Sequence, residues 1–190
     1  MGQVTRVMKT ITLAEKLGIA APMSRVLPRA RELGLANPTA LESLAVARGC
    51  WHYRQPEVPA FPPVTESQFS NEDLAIALLS PSQPYSPHTI RLGAAMLGAV
   101  GNSPERLARQ SKAEGCETVV QYIAKAATQF EPDQPHWREL LELLPEACEP
   151  VSGVLPHPTR FVSMTGFTRS GPGRVTVWIR PRADLAIANG

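Results

Sequence analysis

No stretch of this chain is apolar for long enough to cross a bilayer. The longest such run, residues 92–100, is about half of the roughly 20 residues a membrane-spanning helix needs. The basic residues 1–9 are followed by neither a long apolar stretch nor a small-residue cleavage site, so no secretory signal is expected. Cysteine is scarce. Cys50, Cys116 and Cys148 are odd in number and far apart, which speaks against a disulfide framework and for a reducing compartment. The cytoplasm is the expected location.

Signatures of known chemistry are missing as well. The chain has no nucleophile elbow, no Walker loop, no HExxH helix and no dinucleotide fingerprint. Gly171-Pro172-Gly173 lacks both the third glycine and the strand-turn-helix setting of a dinucleotide site. Cys50-Trp51-His52 sets two metal-ligand types close together, but no second pair follows at finger-like spacing, and His88, His136 and His157 are isolated. Glu114 with Glu117, and Glu139 with Glu142, are pairs of the kind that usually mark a wet helix face. Cys116, beside Glu117 at an expected helix start, is either a reactive thiol or a small buried side chain. On these grounds no metal site, cofactor or catalytic group is expected. Catalytic residues that converge only in three dimensions would leave no trace in the linear sequence.

Proline is abundant. Nineteen of 190 residues are proline, roughly double the usual share of about 5%. Several follow Ser or Asn directly, the arrangement of a helix start in which the polar side chain caps and proline takes the first helical position. Hydrophobic residues at 43% and charged residues at 19% give the balance of a globular chain.

Helix starts and stops recur along most of the sequence. Thr12 and Glu15 have the form of a capping box, with Gly18 as a stop. Residues 21–34 read as a second helix that Pro28 must start late or kink. Asn37-Pro38 opens a third, ending before Gly49. Ser70 with Asp73 opens a fourth, Ser86-Pro87 a fifth and Ser103-Pro104 a sixth that Gly115 closes. Residues 117–128 carry one apolar stripe through Val119, Val120, Ile123, Ala124 and Ala127, and residues 133–144 supply a last helix with its leucines inward. Residues 92–99 are apolar all round and rich in small side chains, which predicts the central helix of a bundle. After Pro145 the texture changes. Residues 160–164 and 175–179 are rich in β-branched and aromatic side chains and flank a Gly-containing loop, the pattern of a β-hairpin. The expected fold class is therefore mainly α, a helical bundle with a short C-terminal β-hairpin.

The expected organisation is a basic N-terminal helical segment (1–55), a Pro-rich linker (56–69) and an acidic helical bundle core (70–145). A loop with an Arg-rich hairpin (146–182) and a frayed tail (183–190) follow. Residues 50–69 hold Trp51, Tyr53, Phe61 and Phe69, so this connection is expected to be packed down. Charge follows the same division. Residues 1–55 carry a net +5, residues 56–159 a net −7 and residues 160–190 a net +4, which together make the +2 of the whole chain. Two basic ends around an acidic body hint at a polyanionic partner. The alternative is that the basic ends pair with the acidic body in the fold.

Two features carry the polyanion reading. Ala14, Leu17, Gly18 and Ile19, followed by residues 23–26, resemble a helix-turn-helix, a DNA-binding motif whose second helix enters the major groove. Arg25, Arg29 and Arg31 would then meet nucleic acid; an ordinary helical hairpin is the alternative. The hairpin offers Arg160, Arg169, Arg174, Arg180 and Arg182 for phosphate oxygens, with Trp178 or Phe167 to stack on a base. The leading expectation is a nucleic-acid-binding protein, DNA or RNA, acting alone or as a small non-catalytic subunit of a nucleoprotein complex. The other expectation is a protein-interaction or scaffold module that meets protein partners through its acidic bundle. Neither involves a membrane.

Overall fold

Backbone donors at a helix start need acceptors, and this chain supplies them from side chains at the positions where the sequence places them. The computed structural model describes residues 10–56, 63–144, 149–165 and 175–187. Among them are eight α-helices: α1 (Leu13–Leu17), α2 (Val26–Glu32), α3 (Pro38–Ala47), α4 (Asn71–Leu78), α5 (Pro87–Leu97), α6 (Pro104–Glu114), α7 (Glu117–Phe130) and α8 (Pro135–Leu143). Thr12 with Glu15, and Ser70 with Asp73, form reciprocal capping boxes. Asn37, Ser86 and Ser103 each accept a backbone N–H and are each followed by proline in the first turn. Gly18 and Gly115 end α1 and α6 in the left-handed conformation.

α2 is the exception. It starts late, at Val26, as Pro28 allows; Arg25 makes no cap bond, and Ser24 Oγ accepts from the backbone N–H of Leu27 at 3.1 Å. A carboxylate from elsewhere takes the other free donors. Glu114, at the end of α6, accepts from the backbone N–H of Arg25 at 2.8 Å, from that of Val26 at 3.1 Å and from Ser24 Oγ at 2.5 Å.

The helices enclose one apolar core. α5 lies inside it: every residue from 92 to 99 is buried, as the all-round apolar pattern predicts. Buried residues from α1 to α3 (Leu13, Ala30, Leu41, Leu44) belong to the same cluster as those of α4 to α8. Tyr53, Val64 and Phe69, from the connection between α3 and α4, are buried with them. The core therefore runs across the expected linker.

The C-terminal sheet is β1 (Val162–Thr165) paired antiparallel with β2 (Val175–Trp178), with Val162 opposite Trp178. A 3-10 turn, Pro158–Phe161, precedes β1 and takes Arg160 out of the strand. Trp178 packs at 5.2 Å from Trp137 and 5.5 Å from Phe161, centroid to centroid. Beyond β2 the chain crosses the end of α3. Arg182 N–H donates to Gly49 O at 3.0 Å, and a Cβ at Gly49, whose φ is +111°, would lie 2.3 Å from Arg182 O. Ile187 N–H donates to Ala47 O at 2.7 Å. The expected fraying after Arg182 does not hold as far as Ile187, because these backbone bonds fasten the segment to α3.

Candidate anion-binding cleft

Ser86 and Pro87 set the start of α5, and with it the direction of Arg91. Four residues after Pro87, Arg91 falls on the same helix face, and both line a cleft of about 810 Å³. Residues 149–157 form the facing wall, and two tyrosines fasten that wall. Tyr85 Oη donates to Val154 O at 2.6 Å, and Tyr122 Oη, from α7, donates to Pro156 O at 2.9 Å. Burial raises the Tyr122 pKa, which keeps that hydroxyl a donor. Ser152, His157 and Arg160 add to the polar lining, and Glu149 is the one carboxylate among the described lining residues. A volume of this size lies within the roughly 300–1,000 Å³ typical of ligand sites.

Arg91 is electrostatically unusual here. It is half-buried, its Nε is sealed from solvent without a hydrogen-bond partner, and no carboxylate among the described residues pairs with it. Its guanidinium carbon lies 5.7 Å from the centroid of the Tyr53 ring, a cation–π distance. Tyr53 is held from another side by His88, edge-on at 5.7 Å, and its own hydroxyl is buried without a partner. Burial pushes the Tyr53 pKa up to about 12.

Other arginines held against the fold have oxygen acceptors. Arg29 and Arg106 both reach Asp73, at 3.1 and 3.4 Å, while Gln110 Nε2 donates to the same carboxylate at 2.5 Å. Arg48 donates to Phe69 O at 2.5 Å and Asn71 Oδ1 at 3.0 Å. Arg180 pairs with Glu131, which also accepts from Trp137 Nε1 at 2.7 Å. An arginine sheltered by the fold but left without an oxygen acceptor is thus the exception.

The arginines singled out from sequence divide into three groups. Arg29, Arg180 and Arg182 are engaged with Asp73, Glu131 and Asp184. Arg25, Arg31 and Arg160 are exposed, and of these only Arg160 reaches the cleft. Arg169 and Arg174 lie outside the described residues, as do Phe167 and Cys148. Trp178 requires a correction. It is 3% exposed, between Trp137 and Phe161, so its ring is not available to stack on a base.

The helix-turn-helix resemblance also requires correction. α1 and α2 are separated by residues 18–25, eight residues, and α2 has seven. The motif joins its two helices by a turn of about three to four residues, half the length found here. Arg29, on that helix, is meanwhile turned to Asp73. Cys116 is fully buried; desolvation first, and then Glu117 and Glu114, push its thiol pKa up, the reverse of a reactive cysteine.

Sequence reading missed Arg91, Tyr53, Tyr85 and Tyr122. One signal was available: Arg91 is the only Lys, Arg, Asp or Glu in the eleven residues of α5, a charge placed in the helix that forms the middle of the core. Among the described residues there is no group of three His, Cys, Asp or Glu able to hold a metal, and no helix is long and apolar enough to cross a membrane. Comparison of the chain with protein families, curated proteins and solved structures finds no match.

Proposed function

We propose that this protein binds nucleic acid without transforming it, and that the cleft between α5, α7 and residues 149–157 holds the phosphate. One observation carries the reading: Arg91 and Arg160 line the same cleft, together with Tyr85 and Tyr122, and neither guanidinium is paired with a carboxylate among the described residues. Cationic grooves with aromatic walls are the physical form of a single-strand site, since phosphates meet arginine and bases meet rings. Arg160 lies two residues before β1, so the cleft adjoins the hairpin that the sequence makes arginine-rich. Arg29 and Arg180 drop out of the reading because their charges are used within the fold.

Photo-crosslinking of a uridine-containing strand to the full chain tests the placement. Cross-links are expected in peptides containing Tyr85, Tyr122 or residues 149–160. Cross-links confined to α2 and α6 would place the strand elsewhere.

A protein-interaction role is the second reading, and a different surface favours it. Leu44, Ala47, Val64, Val100 and Ile187 line an apolar groove of about 490 Å³, with Val100 84% exposed. Capture of a protein partner that Val100→Asp abolishes, in the absence of any nucleic-acid binding, would establish that reading instead.

A further inference from the structure

Within the proposed cleft, the two arginines are not equivalent. Arg160 is exposed and meets any anion that comes to the surface. Arg91 is half-buried, and with its Nε sealed only the two terminal nitrogens of its guanidinium remain to meet a ligand. Those two nitrogens form an end-on fork, matched to two oxygens on one phosphorus. The Tyr53 ring, 5.7 Å from the guanidinium carbon, attracts that charge without consuming a donor, since a ring face accepts charge and not a specific hydrogen-bond direction.

We infer that the cleft is a phosphomonoester site, anchored by Arg91 and completed by Arg160. The inference rests on the cleft being the anion site of the proposed function. Two arguments separate a terminal phosphate from an internal one. Charge is the first. Among the described lining residues Arg91 and Arg160 face one carboxylate, Glu149, and a phosphomonoester brings about −1.5 to −2 charges where a diester brings one. Access is the second. An internal phosphate must lead chain away on both sides from a half-buried arginine, whereas a terminal phosphate needs room for chain on one side only. The tyrosine hydroxyls are already committed to Val154 O and Pro156 O, so the walls present ring and proline surface to whatever the phosphate carries. A nucleotide, free or at the end of a strand, has that chemistry. Tyr53 acts here as a positioning residue.

Fluorescence anisotropy on the full chain decides the matter. The probes are internally labelled short single strands of one sequence carrying a 5′-phosphate, a 3′-phosphate or neither, with adenosine 5′-monophosphate and inorganic phosphate as competitors. A strand with a terminal phosphate should bind about ten- to a hundredfold tighter than the strand without one, the scale of a charge-assisted fork. Arg91→Gln should abolish that preference while leaving the weaker binding of the unphosphorylated strand, and Arg91→Lys should restore only part of it. If adenosine 5′-monophosphate competes as well as the phosphorylated strand, the monoester site stands and its natural source is a free nucleotide. Equal binding of all strands, unchanged in Arg91→Gln, overturns the inference and leaves the proposed function in place. No binding of any probe overturns both. Should Arg91→Gln fail to fold, the wild-type comparison of strand ends still decides.

Discussion

The guanidinium of Arg91 lies 5.7 Å from the centroid of the Tyr53 ring, and each residue carries a buried polar atom, Nε and Oη, without a hydrogen-bond partner. The ring and not the hydroxyl is therefore the useful part of Tyr53. Tyr53→Phe should keep stability within about 1 kcal/mol of wild type or raise it, because an unsatisfied buried hydroxyl is removed. Tyr53→Ala should cost about 3–5 kcal/mol, as loss of a buried aromatic does. Urea denaturation of the two variants checks both figures.

Glu131 joins the end of α7 to α8 and to the segment after β2 by accepting from Trp137 Nε1 and Arg180. Trp137 is fully buried, so Glu131→Ala strands an indole N–H and should cost about 1–3 kcal/mol. Glu131→Gln retains a carbonyl acceptor for Trp137 and should cost less. Thermal melts of the pair measure the difference. Arg180 is correspondingly a poor choice for testing nucleic-acid contact, because its loss changes stability.

His136 donates its Nε2–H to Leu97 O at 3.0 Å, since a carbonyl can only accept. Burial lowers its pKa, with the charge of Arg180 acting in the same direction and the Leu97 bond, Glu139 and Glu131 opposing. The folded state thus holds the ring neutral more firmly than the unfolded chain does. Its contribution to stability is complete above the unfolded value near 6.5 and is lost as pH falls from there through the folded pKa. Urea midpoints from pH 8 down to pH 5 should decline, and His136→Gln should flatten that part of the profile. An unchanged decline in the variant assigns it to other groups.

A chain beginning at Ser70 should not fold stably. Leu13, Ala30, Leu41 and Leu44 share one core with α4 to α8, and Phe69, fully buried, precedes the cut. The fragment should show no cooperative thermal transition. A cooperative melt would mean that α4 onward is a unit by itself.

Most of the fold was legible because its punctuation is local. Ser86-Pro87, Ser103-Pro104 and Asn37-Pro38 stand where α5, α6 and α3 begin, and Gly18 and Gly115 where α1 and α6 end. Where α2 begins was left open between a late start and a kink, because part of its cap, Glu114, is 88 residues from Val26. The cleft was hidden for the same reason: Arg91, Tyr122 and residues 149–157 meet only through packing. Charge by region gave the signs of the ends but not their partners. Asp73 and Glu131 take up Arg29 and Arg180, and Trp178, read as a stacking surface, is an interior side chain whose β-rich setting looks the same in sequence whether it faces in or out.

The salt dependence of binding tests the central claim most directly. Full-length protein is titrated with a labelled single strand bearing a terminal phosphate, at several salt concentrations between about 50 and 200 mM. The account predicts measurable binding whose logarithm falls linearly with the logarithm of salt. Each arginine on a phosphate should contribute about −0.7 to that slope on single strands, so Arg160→Ala should shallow it by about that amount. Binding that ignores salt, or no binding to any single- or double-stranded DNA or RNA, would contradict the account.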